Sequence, residues 1–108
     1  MMDGVDLVAL ERWMDGQGVG AGAISEARLL SGGTQNILLR FRRGEADYVL
    51  RRPPPVPRAN SNDTMRREAR VLAALDGSAV PHPRLVAACA EEDVLGVAFY
   101  LMEPVEGF

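Results

Sequence analysis

Between Leu29 and Pro54 the chain reads LLSGGTQNILLRFRRGEADYVLRRPP, a run that can be laid out in few ways. Ile37 to Phe41 and Tyr48 to Leu50 are rich in leucyl, β-branched and aromatic residues, which favour strands. Ser31, Gly32, Gly33, Thr34 and Asn36 favour turns, and Gly44 with Glu45 can close a tight turn between Phe41 and Tyr48. The reading is strand, glycine turn, strand, tight turn, strand, which is an antiparallel meander ending on two arginines. Alternation then puts Val49 and Arg51 on one face of the third strand, and Tyr48, Leu50 and Arg52 on the other.

Two helices flank this meander in the reading. From Asp3 to about Gly16 the apolar residues Val5, Leu7, Val8, Leu10, Trp13 and Met14 have amphipathic spacing. The glycines of Gly16 to Gly22 then read as a flexible linker. After the proline-rich PPPVPRANSND loop, Asn62, Asp63 and Thr64 are N-cap candidates for a helix from Thr64 to Leu75. Its apolar stripe is Met65, Ala69, Leu72 and Leu75, and Glu68 falls inside it. Such a glutamate either sits at the stripe's edge and reaches water, or faces the interior and needs a cation from a neighbouring element. The YVLRR strand is the evident donor. Only one of its arginines can face Glu68; if that one is Arg51 and the pair is buried, Glu68→Ala should cost on the order of 3 kcal/mol and Arg52→Ala far less. The last segment reads as two short strands around an EED turn, the second being Val97 to Met102.

Composition removes several function classes. A formal charge of −3 argues against broad phosphate neutralisation of nucleic acid, and no apolar run approaches the ~18 residues of a membrane span. With no basic-then-apolar leader, a cytoplasmic chain is expected. The single Cys89 lies in a small-residue run and reads as a buried small hydrophobe. The only histidine, His82, lies between two prolines and reads as a turn or surface residue, so no metal site is expected. All twelve cations are arginine. This is compatible with a genomic bias, but it also means that any cation meeting a phosphate must be a guanidinium.

A glycine turn over a strand that ends in a cation, a helix carrying an inward glutamate, and an apolar strand leading to M-E-P-V resemble the amino-terminal lobe of the protein-kinase-like superfamily. Within it, LSGGTQN, YVLRRPP, MRREARVLAAL and FYLMEPVEG look like the aminoglycoside phosphotransferase and choline kinase branch. The likeness is greatest to the subgroup associated with acyl-CoA dehydrogenases, and it spans about Ile24 to Phe108. It implies an α+β fold, an antiparallel sheet of about five strands with one packed helix, in residues 23–108. A helix and glycine linker, residues 1–22, would precede it.

The resemblance also implies an ATP site. Ser31, Gly32, Gly33, Thr34, Gln35 and Asn36 fall at the nucleotide-covering loop, and Arg51 stands where the superfamily has a phosphate-holding lysine. Glu68 would orient Arg51, Val49 would roof the adenine, and Met102 would back the base pocket. Glu103 would offer its carbonyl and Val105 its amide to the base. The family's His-Gly-Asp catalytic loop and its magnesium-binding Asp-x-Asp belong to a carboxy-terminal lobe. No histidine follows His82 and no aspartate follows Asp93, so no catalytic or metal-binding residue is expected in this chain. The implied activity is transfer of the ATP γ-phosphoryl to a small hydroxylated substrate once that lobe is supplied. The alternative is a non-catalytic interaction module derived from a kinase lobe.

Overall fold

The computed structural model describes residues 6–31, 37–53, 61–75, 84–91 and 93–104. The expectations for Gly32, Gly33, Thr34, Gln35, Asn36, His82 and Val105 lie outside the described residues. Helix α1 spans Leu7–Gln17, and β1 (Ile24–Ser31), β2 (Ile37–Arg43) and β3 (Ala46–Arg52) follow it. Helix α2 is Ser61–Leu75, followed by β4 (Leu85–Cys89) and β5 (Phe99–Met102). The strands form one sheet in the order β1-β2-β3-β5-β4. Every neighbouring pair is antiparallel.

The β2–β3 hairpin follows from its turn. Arg43 pairs with Ala46, so only Gly44 and Glu45 make the connection, and Gly44 has φ 64°, a conformation that a side chain would oppose.

Alternation along the strands divides the core between two faces. On one, Leu39, Phe41, Tyr48, Leu50, Phe99, Leu101 and the small, buried Cys89 pack with Leu10 and Met14 of α1, and Trp13 meets Phe99 edge-on at 4.9 Å. On the other, Val49, Tyr100 and Met102 pack with Met65 and Ala69 of α2. These are the faces that periodicity assigned to the third strand and the second helix.

Three local expectations are corrected. Helix α1 begins at Leu7 because the Asp6 carboxylate accepts from the N–H groups of Val8 and Ala9, and it runs through Gly16 to Gln17. The linker after it is not slack. Gly18, Gly20 and Gly22 hold left-handed φ angles, and the fully buried Arg43 donates from Nε to the Gly22 carbonyl at 2.7 Å, from a terminal nitrogen to the Val19 carbonyl at 2.9 Å, and to the Asp15 carboxylate. One guanidinium thus fastens the end of α1 and the linker to β2. Helix α2 starts at Ser61, before the expected cap, and the Asn62 side-chain oxygen accepts from Ala98 N–H at 2.8 Å instead of capping the helix. The same bond diverts the Ala98 amide from the sheet, and β5 begins at Phe99, two residues later than Val97.

Candidate functional site

Strand β3 brings Val49 and Arg51 to the α2 face. Strand β5 supplies their antiparallel partners, with Val49 opposite Met102 and Arg51 opposite Tyr100. Helix α2 lies across β4 and β5 and carries Glu68 on the turn that packs Met65 and Ala69. The result is an ion pair between adjacent elements, with Arg51 Nε 2.9 Å from Glu68 Oε1. The interior reading of Glu68 therefore holds, with one qualification. Both side chains keep 30 % of their surface exposed, so the pair sits at the lip of the sheet with part of its hydration.

The geometry of the pair is unusual for arginine. Despite the short separation, the Nε–H is not aimed at the carboxylate oxygen and has no hydrogen-bond partner among the described residues. Arginine and carboxylate more often meet through two parallel hydrogen bonds. Here the carboxylate is held by a third residue: the Tyr100 hydroxyl donates to the same Oε1 at 2.9 Å. Tyr100 is buried, and burial is the main cause that pushes its hydroxyl well above the usual tyrosine value. The Glu68 bond and charge act in the same direction, while the Arg51 charge opposes them. The phenol therefore remains a proton donor. Sequence reading passed over Tyr100, although its position two residues before Met102 on an alternating strand placed it on this face.

Val49 and Met102 are buried in the cluster beside this pair, together with Met65, Ala69 and Tyr100. Glu103 lies at the sheet's end, where its N–H donates to the Arg84 carbonyl at 2.9 Å. With Pro104, Asp47, Arg84 and Leu85 it borders a pocket of about 530 Å3. Ser31 closes β1 ahead of the glycine segment. Among the described residues no cluster of three or more His, Cys, Asp or Glu could hold a metal ion.

Arg52 points away from Glu68, as alternation requires, yet it is only 4 % exposed. Its Nε donates to the Pro53 carbonyl at 2.9 Å, and burial lowers its pKa. The expectation of a mild Arg52→Ala is thereby corrected: the side chain is away from the pair but deep in the other face.

Arg51 could serve an anionic ligand. Among the described residues none accepts a hydrogen bond from its Nε, and a side chain 30 % exposed that carries a permanent guanidinium charge is suited to phosphate oxygens.

Comparison with known proteins agrees with this reading of the fold. Residues 26–107 match the model of the phosphotransferase enzyme family. Human acyl-CoA dehydrogenase family member 11 is 34 % identical over 109 residues, covering 94 % of this chain and 14 % of that protein. The Arabidopsis thaliana protein named a probable acyl-CoA dehydrogenase IBR3 is 43 % identical over 61 residues, covering 56 % of this chain and 7 % of its own length. Among solved structures, a candidate aminoglycoside phosphotransferase from Ralstonia eutropha superposes with a TM-score of 0.76 at 34 % identity, covering 96 % of this chain and 29 % of that one. The chain thus spans a small part of each relative. With its five-stranded antiparallel sheet and its helix-borne glutamate meeting a strand arginine, the chain belongs to the phosphotransferase enzyme family and has the fold of a protein-kinase-like amino-terminal lobe.

Proposed function

We propose that this chain is the nucleotide-binding lobe of an ATP- and magnesium-dependent phosphotransferase that passes the γ-phosphoryl group to a hydroxyl of a small molecule. The observation that carries the reading is the Arg51–Glu68 pair, which presents a permanent, partly exposed cation at the lip of the sheet. In this reading Arg51 binds the α- and β-phosphates, Glu68 and the sheet hold it in place, and the glycine segment after Ser31 brings backbone amides over the phosphate chain. Val49 and Met102 line the base site, while Glu103 and Val105 supply its backbone hydrogen-bond partners. When bound, magnesium would neutralise developing charge on the phosphates. The described residues offer it no ligand cluster, so its ligands and the general base would belong to a carboxy-terminal lobe. Working in the cytoplasm, such an enzyme would need neither nucleic acid nor membrane as a partner. No helix among the described residues is long and apolar enough to cross a membrane.

The test is amide exchange with and without ATP and magnesium, on a polypeptide in which these residues continue into a phosphotransferase catalytic lobe. Slower exchange at Gly32–Gly33 and Glu103–Val105 is the expected result. Unchanged exchange at both segments, with saturating nucleotide, would overturn the nucleotide reading. Calorimetry on the 108-residue chain alone should show ATP binding that is weak or not measurable, because half a cleft buries one side of the ligand. Micromolar, magnesium-dependent binding there would instead make the chain a self-sufficient nucleotide module.

A further inference from the structure

An arginine beside a glutamate carries a hazard for anion binding that a lysine does not. The planar fork of guanidinium matches a carboxylate, so the two tend to close into a bidentate pair. Once closed, that pair has committed the N–H groups a phosphate would need. A lysine ammonium has three donors around one atom and can serve a carboxylate and a phosphate together.

In this chain the closed pair does not form. The nearest approach is from the inner nitrogen of Arg51, at 2.9 Å from Glu68 Oε1, and its N–H does not engage the oxygen as a hydrogen bond. What occupies that oxygen is the Tyr100 hydroxyl, also at 2.9 Å. Tyr100 stands directly opposite Arg51 across the β3–β5 ladder, and its ring is fixed in the core with Val49, Met65 and Met102. The hydroxyl therefore approaches from a rigid position, while the glutamate is free to turn about its own side-chain bonds.

We propose that Tyr100 is a positioning residue for anion binding at Arg51: by holding Glu68 Oε1 it keeps the carboxylate from closing on the guanidinium fork and leaves that fork open to a phosphate. The proposal rests on the nucleotide reading of the site for the identity of the anion, but not for the geometry itself. Its ligand class is a di- or triphosphate, which offers paired oxygens to the two outer nitrogens. The role is specific to arginine, and that specificity separates positioning from plain structural support.

The experiment uses four forms of the 108-residue chain: the natural sequence, Tyr100→Phe, Arg51→Lys and the two changes together. Tyr100→Phe keeps the ring and its packing, and thermal unfolding checks that all four forms fold. The first readout needs no ligand. In nitrogen-resolved NMR of the arginine side chains, Tyr100→Phe should shift the Arg51 Nε–H resonance and slow its exchange with water as the pair closes. An unchanged resonance would overturn the proposal.

The second readout is an NMR titration with ATP, which detects weak binding. Removal of the hydroxyl should weaken ATP about tenfold beside the natural Arg51, the scale of one hydrogen bond to a charged group, and less than about twofold in the Arg51→Lys background. Equal losses in both backgrounds would show that Tyr100 only supports the fold. ATP binding to the half-cleft of this chain can also fall below detection, as the proposed function allows. The Nε–H resonance would then still decide whether Tyr100 holds the pair open.

Discussion

Glu68 Oε1 is shared by a buried phenol and a half-solvated guanidinium, and the two partners respond differently to its loss. In Glu68→Ala the Tyr100 hydroxyl is left inside the core without its acceptor, which costs about 1–3 kcal/mol. The Arg51 contact adds little to that, since both charged side chains are 30 % exposed and remain screened by water. Chemical denaturation of the variant should therefore show a loss nearer 2 kcal/mol than a fully buried pair would give. Arg52→Ala should be as damaging, at about 1–2 kcal/mol, because it empties a buried site of its aliphatic stem. It should leave ATP binding unchanged, and a loss of ATP affinity in that variant would place the wrong arginine in the site. The tyrosine also sets a pH limit. Its folded pKa is raised, so its contribution to stability is complete below the unfolded value of about 10 and is lost as pH rises through the folded value. Denaturation midpoints measured from pH 8 to 12 should fall less steeply in Tyr100→Phe than in the natural chain. At this scale a strand's period of two showed that only one of the two arginines can meet Glu68, and the family resemblance pointed to Arg51, which the ion pair bears out. The sequence did not show that Arg52 is buried, since face and depth are separate properties, nor that a phenol shares the carboxylate.

Elements were readable where their signals are local and obscure where a distant side chain decides. The meander, the Gly44–Glu45 turn and the apolar stripe of α2 all follow from neighbours in sequence. The linker between α1 and β1 does not. Its glycines read as slack, yet their left-handed turns gather the Val19 and Gly22 carbonyls around a guanidinium from β2, more than twenty residues away. The start of α2 was misplaced for a related reason: Asn62 is a cap-forming type whose side chain is taken by Ala98. Arg43 therefore behaves as the clasp between α1 and the sheet. Arg43→Met keeps the stem but removes the charge, leaves both carbonyls without their donor, and should cost about 2–4 kcal/mol. Asp15→Asn should cost under about 1 kcal/mol, because Asp15 is largely exposed. If native-state proteolysis cut the Gly18–Gly22 segment no faster in Arg43→Met than in the natural chain, the clasp would be dispensable.

At the scale of the molecule, the sheet separates two cores of unequal extent. Among the described residues, the α1 face joins nine buried residues and is edged by further apolar side chains from α1, β1 and the turn before β5. Among the same described residues the α2 face joins six, and α2 lies over β4 and β5, toward one side of the sheet. Helix α2 is thus held by Met65, Ala69, the half-buried Leu72, the Asn62 bond to Ala98 and the Glu68 contacts, and several of these are polar and partly solvated. Less buried apolar area means a lower free energy of local opening, so amides of α2 should exchange faster than those of β2, β3 and β5. The same asymmetry bears on function. Glu68 is the side chain through which α2 reaches Arg51, so an anion that orders Arg51 stabilises α2 in its docked position by linkage. Saturating ATP should then slow exchange in α2 by more than it slows the central strands, and Glu68→Gln, which loses the charge, should abolish that difference. Uniform exchange across helix and sheet, with or without nucleotide, would mean that α2 and the sheet open as one unit and that the Glu68 contact does not couple the helix to the phosphate site.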